Sequence, residues 1–552
     1  MDRQMIKNLN GFLKISLLVL FTFVVSCTDL TENINNEITP ENFFQTDEEI
    51  ISALGDAYSP LTSYGSHGGQ TALAEVTSDE IVITQKGADW GDGGIWIRLH
   101  RQKFTPSEDE INNAWNNFFS GIANTNRLIF QFKNAVESSA NISQEEIDPF
   151  IAELRGLRAF YYYLVLDNFG NAPIVTSFEQ DITETEQPSP DLKEGRQKLF
   201  NFVESELLDV LDLLNTDVDA TIGRVNKWVV HMTLAKLYLN AEVYTKTSRW
   251  GDVVTHTNAI IDSQNYELMD NYADNFTVNN TGSPEHIFTI PFDEVFRTGF
   301  GLPAQTMHLS SQPAFNFGFQ PNNGVQTMTD FYESYIDPEQ NPGPQGEVIG
   351  LDPQGSTISG TVDDRLDNFL VGPLLDLEGN QISDPGASSS DPNGPPITHT
   401  PYINELEPDG WRQAGARIAK YEMEIGLSSN NMNNDMIIFR YADVLMMKAE
   451  ALWRLNGSDP EALELVNRIR ERANVEPFNT LDADKILAER GREFFYEMMR
   501  RQDLIRFEGK TGKTRFNDAW WEKGTSEPFR NVFPIPQNQL EANPNLKQNP
   551  GY

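Results

Sequence analysis

Acidic pairs are the residues of this sequence best suited to catalysis. Asp79 with Glu80, and Asp363 with Asp364, place two carboxyl groups side by side, and a carboxyl pair is what acid–base glycoside hydrolysis needs. Because the chain contains 81 acidic residues, chance proximity explains such pairs better than a catalytic role. A His-Glu-x-x-His motif, a Gly-x-Ser-x-Gly motif and a phosphate-binding glycine loop do not occur in the sequence. The sequence therefore predicts a protein that is not an enzyme, with no catalytic residues.

Two glycine-rich stretches carry aromatic residues that are candidates for ligand contact. Trp90 and Trp96 flank Gly-Asp-Gly-Gly at 91–94, which we interpret as an exposed turn rather than a helix. Two tryptophans on such a loop are hard to explain as core residues, so we expect both to contact a ligand. Tyr64 and His67 lie among glycines in a second stretch and form a second candidate loop.

Polar partners and further aromatic candidates lie elsewhere in the chain. The polar candidates are Asp79, Arg98 and Asn323. Trp411 opens a new segment after Pro-Asp-Gly at 408–410 and is a further candidate for the site. Phe315, Phe317 and Phe319 alternate along the chain, a pattern that fits a buried strand edge as well as a stacking surface. Trp115, Phe118 and Phe119 have helical spacing and are expected in the core.

Metal and cofactor signals are weak. Asp384 to Gly394 is a polar loop that could hold a structural calcium ion, although it lacks the spacing of an EF-hand. The single cysteine excludes an intrachain disulfide and a cysteine-based zinc site. No other cofactor or metal site is predicted.

The net charge excludes one class of partner. The chain has 42 Lys and Arg against 81 Asp and Glu, a formal charge of −39. Nucleic-acid binding requires clustered cations, so we expect no nucleic-acid partner. Residues 440–515 are nearly neutral, with 15 basic and 14 acidic residues, which indicates ion pairs between packed helices.

The N-terminus has the pattern of an exported, lipid-anchored protein. Basic residues precede an apolar run at 15–25, which is too short to span a bilayer but fits a secretory signal. The run ends in Val-Val-Ser before Cys27, the only thiol, and resembles a bacterial lipoprotein signal. We predict a signal peptide at 1–26, lipidation of Cys27 and a tether at 27–41. Acyl chains on Cys27 would anchor the protein without a spanning helix.

Helical spacing dominates the rest of the chain. Apolar stripes at intervals of three and four residues recur in segments with small residues at the expected crossings. They lie at 150–164, 199–214, 227–244, 250–261, 442–452 and 462–473. We predict a mainly α fold in which degenerate tetratricopeptide-like helix pairs form one body at 42–552. Its scaffold is expected at about 42–264 and 412–552, with a loop-rich, irregular lobe at about 265–411 that carries the ligand site.

Several sequence blocks resemble one known family. Arg440-Tyr441-Ala442-Asp443 opens a block to residue 451, and further blocks lie at 157–162, 169–173, 466–473, 489–494 and 500–506. Phe-Pro-Ile-Pro at 533–536 and the ending Gln-Asn-Pro-Gly-Tyr complete the set. In this order, behind a lipoprotein cysteine, these blocks are similar to the SusD/RagB family of outer-membrane nutrient-binding lipoproteins. Only Asp29 and Glu32 remain of the acidic export tag found in some relatives.

The resemblance implies a role at the cell surface. A SusD-like protein is anchored to the outer membrane, captures a glycan on its loop-rich side and delivers it to a SusC-like TonB-dependent transporter. Aromatic rings suit this role because the C–H face of a pyranose packs on a flat ring while its hydroxyl groups bind polar side chains. Trp90, Trp96, Tyr64 and His67 would then provide the rings.

The sequence does not determine which ligand the protein binds. An acidic protein repels polyanions, which favours a neutral glycan such as a laminarin-type β-glucan. Basic residues around the tryptophans (Lys86, Arg98, His100, Arg101 and Lys103) leave an acidic polysaccharide such as alginate open, unless they pair with Asp89 and Asp92. The sequence is also compatible with a peptide ligand, with a lipid-anchored glycosidase and with an adaptor that binds only protein.

Overall fold

A computed structural model describes residues 44, 46–138, 142–179, 187–336, 348–351, 357–359, 363–387 and 394–552. The predicted signal peptide, Cys27 and the tether lie outside these residues. Within the described part, no helix has both the length and the apolar character needed to cross a membrane.

The long helices begin and end where the sequence supplies caps. Thr46 and Ser143 form capping boxes with Glu49 and Glu146, and Asp459 caps a helix that has Pro460 in its first turn. The helices are α1 (Asp47–Tyr58), α2 (Gly69–Thr71), α3 (Ile95–His100), α4 (Asp109–Ser138), α5 (Gln144–Asn168), α6 (Leu192–Val210), α7 (Lys227–Leu239), α8 (Ala241–Thr245), α9 (Trp250–Ser263), α10 (Leu302–Thr306), α11 (Gln312–Phe315), α12 (Thr329–Glu333), α13 (Tyr441–Leu455), α14 (Pro460–Arg472), α15 (Ala483–Glu493), α16 (Arg500–Arg506) and α17 (Gln537–Ala542).

The long helices pack in neighbouring pairs, as the apolar stripes predict. Helix α4 packs on α5, α5 on α6, α9 on α7 and α13, and α13 on α14. Gly121 of α4 lies directly against Tyr161 of α5, since a Cβ at this position would stand 2.2 Å from the tyrosine ring. Trp115 and Phe118 are buried at the same crossing. The prediction of a mainly α fold built from tetratricopeptide-like helix pairs is confirmed.

Short antiparallel strand pairs run through the irregular segment between α9 and α13, and one of them also joins this segment to the N-terminal loops. They form the pairs β1–β3, β2–β10, β4–β5, β6–β9 and β7–β8. Their bounds are β1 (Ile81–Ile83), β2 (His286–Ile290), β3 (Val325–Thr327), β4 (Val348–Leu351), β5 (Thr357–Ser359), β6 (Phe369–Leu370), β7 (Gly372–Pro373), β8 (Thr398–His399), β9 (Arg417–Ile418) and β10 (Met436–Arg440). The β1–β3 pair joins the N-terminal loops to residues 320–327, where the candidate site lies.

Buried ion pairs hold the C-terminal helices together. Arg440 contacts Glu285, Glu493 and Glu497, and all four side chains are fully buried. Arg506 of α16 likewise forms a salt bridge with Glu450 of α13 at 2.7 Å. Because a buried charge is costly without a partner, these pairs fix how the helices pack. The predicted ion pairs between the helices of 440–515 are confirmed.

Candidate functional site

Three aromatic rings meet where the two glycine-rich loops approach each other. The ring centroid of His67 lies 5.1 Å from that of Trp90 and 5.3 Å from that of Trp96. The two tryptophan rings are 6.1 Å apart at an interplanar angle of 59°. His67 and Trp90 are partly exposed, whereas Trp96 is only 3% exposed. We call these three residues the aromatic platform.

Trp90 is held by the segment that leads into β3. Its indole Nε1–H donates to the Asn322 carbonyl at 2.6 Å, and its ring lies directly over Gly324. Trp90 also has a positive φ of 59°, which is an uncommon backbone conformation for a bulky residue. The Trp90 ring is therefore held in place by residues outside its own loop.

Trp96 corrects the expectation that both tryptophans stand on an exposed turn. It lies in α3, directly after a 3₁₀ turn at Asp92–Gly94, and its ring is part of the hydrophobic core. Its Nε1–H donates to the Asp92 carboxylate at 2.7 Å, which satisfies the polar end of an otherwise buried ring. Trp96 therefore supports Trp90 and His67 from beneath, with little surface of its own.

Arg98 braces the same turn. Its guanidinium forms a two-point salt bridge with Glu108, at 2.7 and 2.6 Å, and donates to the Gly93 carbonyl at 2.6 Å. About 38% of its side chain is exposed. The predicted role as a polar ligand partner remains a prediction, and the contacts of Arg98 already give it a role in positioning the turn.

The loop of His67 carries a second correction. Tyr64 lies in a 3₁₀ helix, is only 4% exposed and lines a small internal cavity with Phe160 and Tyr163. It points into the core because Ser59–Gly65 continues the helical path of α1. His67 remains at the surface, and burial lowers its pKa, so the neutral ring is the main form at pH 7. Only His67 of this pair belongs to the exposed site.

Asn323 links the segment that holds Trp90 to the segment of Trp411. It follows the residue that binds Trp90, is 1% exposed and donates from Nδ2 to the Arg412 carbonyl at 2.9 Å. Trp411, the neighbour of Arg412, is 58% exposed and meets Tyr402 edge to face at 6.0 Å. Asn323 is therefore a buried connection between the two segments, and the predicted role of Trp411 in ligand contact remains a prediction.

Asp79 has a structural partner. Both carboxylate oxygens accept from Arg500, at 2.6 and 2.8 Å, which ties the turn before β1 to α16. Its neighbour Glu80 is 1% exposed. A carboxylate paired with a guanidinium through both oxygens is less available to sugar hydroxyl groups, so Asp79 is better explained by this ion pair.

The basic residues near the tryptophans are mostly neutralised, although not by Asp89 and Asp92. Arg98 pairs with Glu108, and Arg101 pairs with Glu407 and Glu522. Burial lowers the pKa of His100 to about 4 and holds the pKa of Lys86 well below its ordinary value. The fifth basic residue, Lys103, is exposed to solvent.

Two further aromatic features lie outside the three residues of the platform. The rings of Phe315, Phe317 and Phe319 stack in sequence, with centroids 5.0 and 4.8 Å apart, so the alternation forms a stack rather than a strand edge. Phe296 is 94% exposed at the tip of a turn whose carboxylate, Asp293, accepts three backbone N–H groups. Sequence reasoning missed Phe296, because its loop has no glycine-rich signature at the tip.

The position of Phe296 follows from a contact between loops. The Gly301 N–H donates to the Gly65 carbonyl at 3.1 Å, two residues before His67. A Cβ at Gly65 would stand 2.6 Å from the Gly299 oxygen, so the loops touch through their backbones. The base of the Phe296 turn therefore contacts the loop of His67.

The calcium hypothesis is weakened at its first residue. The Asp384 carboxylate is fully buried, and it accepts from Arg412 at 2.7 and 3.1 Å and contacts His308 at 3.1 Å. Residues 388–393 of this loop lie outside the described residues. Elsewhere in the described chain, no cluster of three or more His, Cys, Asp or Glu side chains suits a metal ion.

Fold and site define a class of protein: a helical-repeat scaffold that presents a cluster of aromatic rings on its irregular side. Comparison with known families agrees with this class. Residues 406–552 match the profile described as "SusD family", and residues 33–239 match the profile described as "Starch-binding associating with outer membrane". The chain belongs to the SusD/RagB family, as its sequence blocks predict.

Individual relatives and one solved structure cover most of the chain. SusD-like protein P2 of Formosa agariphila is 24% identical over 98% of this chain and 99% of its own length. Starch-binding protein SusD of Bacteroides thetaiotaomicron is 25% identical over 77% of this chain and 76% of its own. Surface glycan-binding protein A of the same species, solved with laminarihexaose, shares the fold with a TM-score of 0.67 at 21% identity, over 91% of this chain and 99% of that one.

Proposed function

We propose that this protein is a non-catalytic glycan-binding lipoprotein that captures polysaccharide or oligosaccharide on the aromatic platform. The observation that carries the proposal is the meeting of three rings, with His67 and Trp90 partly exposed and Trp96 buried beneath them. Rings held rigidly at a surface lose little freedom when a pyranose packs on them. The starch-binding and laminarihexaose-binding relatives support a glycan as the ligand.

A neutral glycan such as a laminarin-type β-glucan fits the charges of the site better than an acidic one. The strongest basic candidates near Trp90, Arg98 and Arg101, already have carboxylate partners. A uronate or sulfate would have to compete with Glu108 for Arg98, inside a protein that carries a net charge of −39. Alginate-type polysaccharides and peptides are the alternative ligands.

A glycosidase activity is disfavoured by the partners of the candidate acids. Asp79 is saturated by Arg500, and Asp363 binds both Nε and Nη2 of the fully buried Arg365 at 2.9 Å. Neither acidic pair presents two accessible carboxyl groups, as a general acid and its partner require. The engaged carboxylates support a role in binding rather than in hydrolysis.

Delivery to a SusC-like TonB-dependent transporter and anchoring through Cys27 complete the proposal. Membership of the family supports both, and one of the matched profiles is described as associating with the outer membrane. The glycan would be held at the cell surface until the transporter accepts it. The rival role is that of an adaptor, which would bind the transporter but no glycan.

Affinity gel electrophoresis across a polysaccharide panel tests the proposal. Laminarin in the gel should retard the protein, whereas alginate should not, and a reducing-sugar assay on the same mixtures should detect no product. Retardation by alginate alone would replace the neutral ligand with an acidic one. New reducing ends would establish a glycosidase and overturn the proposal.

A further inference from the structure

A second cavity lies apart from the aromatic platform and shares no residue with it. It encloses about 450 Å³ between the connection from α6 to α7, the end of α9 and strand β2. Thr221, Asn226, Tyr266 and His286 are its buried lining residues, and Asp217 and Asn265 lie at its exposed mouth. This volume is within the usual range of small-molecule sites.

One buried polar atom in the lining, Nδ1 of His286, has no hydrogen-bond partner among the described residues. His286 is 8% exposed, and Tyr266 beside it in the lining is 5% exposed. The Tyr266 hydroxyl has the Asn226 side chain as its hydrogen-bond partner. Buried polar groups in folded proteins are nearly always satisfied, so Nδ1 of His286 indicates an occupant.

His286 shows what that occupant must provide. Its Nε2 faces the Asn275 carbonyl at 3.1 Å, and a carbonyl only accepts, so Nε2 carries the proton. Burial lowers the pKa of His286 to about 4, which keeps the ring neutral at pH 7. Nδ1 is therefore a lone-pair acceptor, and it needs a hydroxyl or amide donor.

The side chains that line the cavity disfavour an anion and a metal ion as its ligand. Asp217 and Asp219 line the cavity, and no Lys or Arg among the described residues does, which disfavours an anion. A metal ion is disfavoured because no cluster of three His or acidic ligands occurs in the described chain. Threonine, serine and amide side chains supply most of the remaining polar groups.

We propose that this cavity is a second binding site, for a neutral polyhydroxylated molecule of the size of a monosaccharide. A ligand hydroxyl would donate to Nδ1 of His286, and another would bond with the Tyr266 hydroxyl. This site is independent of the platform, so the proposed function can fail while this site stands, and the reverse also holds.

Saturation-transfer NMR on the full chain, with glucose, galactose and mannose as separate probes, tests the site. At least one sugar should give a transfer signal that persists in Trp90→Ala. Tyr266→Phe removes only the hydroxyl that faces the cavity and should reduce the signal at least fivefold. Asn265→Trp should block the mouth and abolish the signal, whereas the matched surface change Asn201→Trp on α6 should leave it unchanged.

Three outcomes would overturn the inference. One is no transfer signal with any of the three sugars. Another is a signal that Tyr266→Phe and Asn265→Trp leave unchanged. The third is a signal that Trp90→Ala abolishes, because it would assign the binding to the platform. If Tyr266→Phe unfolds at the same midpoint temperature as the wild type, its loss of signal is due to the missing hydroxyl and not to a loss of folding.

Discussion

The indole ring of Trp90 lies so close to Gly324 that a Cβ at Gly324 would stand 2.1 Å from the ring. These residues are far apart in the chain and meet because β1 pairs with β3, which begins at Val325. The Asn322 carbonyl accepts from the same indole, so one short segment sets both the depth and the angle of the ring. The platform is therefore assembled from two distant loops.

Gly324→Ala should displace Trp90 without removing any group that contacts the glycan. We expect at least a tenfold loss of laminarin affinity and a shift in tryptophan emission, because real Cβ atoms do not approach a ring this closely. Gly55→Ala in α1 is the matched control, since nothing lies within 4 Å of its Cβ. Full affinity in Gly324→Ala would show that the ring position does not matter.

Trp90→Ala and Trp96→Ala should separate affinity from stability. Both should weaken glycan retention, but Trp96 is buried, so its truncation should also lower the free energy of unfolding by about 3–5 kcal/mol. Trp90→Ala should cost much less, because its ring is partly exposed. Urea unfolding and affinity electrophoresis on both variants measure the two effects, and an equally large stability loss in Trp90→Ala would contradict the assignment.

Phe296→Ala should weaken glycan binding at nearly constant stability. The side chain is 94% exposed, so it contributes little to folding, and the base of its turn contacts the loop of His67. We expect a loss of about twofold to thirteenfold in affinity, the range of one stacking contact. Phe178→Ala, at a phenylalanine that is 50% exposed, is the control, and equal behaviour of the two variants would remove Phe296 from the site.

Buried Glu75 should make stability depend on pH. Desolvation raises its pKa from about 4.5 to about 7, although it accepts from the Met498 N–H at 2.6 Å. A folded pKa above the unfolded value stabilises the fold fully below pH 4.5, and this contribution is lost as the pH rises through 7. Between pH 4.5 and pH 8, the free energy of unfolding of Glu75→Gln should therefore rise by about 1–3 kcal/mol relative to that of the wild type.

Urea unfolding of both proteins at several pH values measures this difference. The buried histidines titrate in the same range with the opposite sign, but they are common to both proteins and cancel in the comparison. A difference that does not change with pH would show that Glu75 is ionised throughout the range.

Local periodicity predicted the scaffold, because each helix buries a stripe that can be read from its own residues. The stripe at 462–473, with Asp459 and Pro460 before it, became α14 with those residues as its cap and first turn. The candidate site was harder to predict, since its geometry depends on contacts between distant loops. Nothing near Trp90 in the sequence points to Gly324, and nothing near Phe296 points to Gly65.

Burial separated candidates that look alike in sequence. Tyr64 and His67 share one glycine-rich stretch, but the first continues a helical path into the core and the second reaches the surface. Asp79 looked available because its partner, Arg500, is more than 400 residues away. Residue type and spacing identified the region of the site, and only tertiary contacts could assign each side chain a role.

Calorimetric titration of the purified protein with laminarin oligosaccharides tests the central claim most directly, with Trp90→Ala measured in parallel. We predict saturable binding by the wild type, loss of detectable heat in Trp90→Ala, and oligosaccharides recovered intact from the cell. No binding of any oligosaccharide, or equal binding by Trp90→Ala, would contradict a glycan site on the aromatic platform.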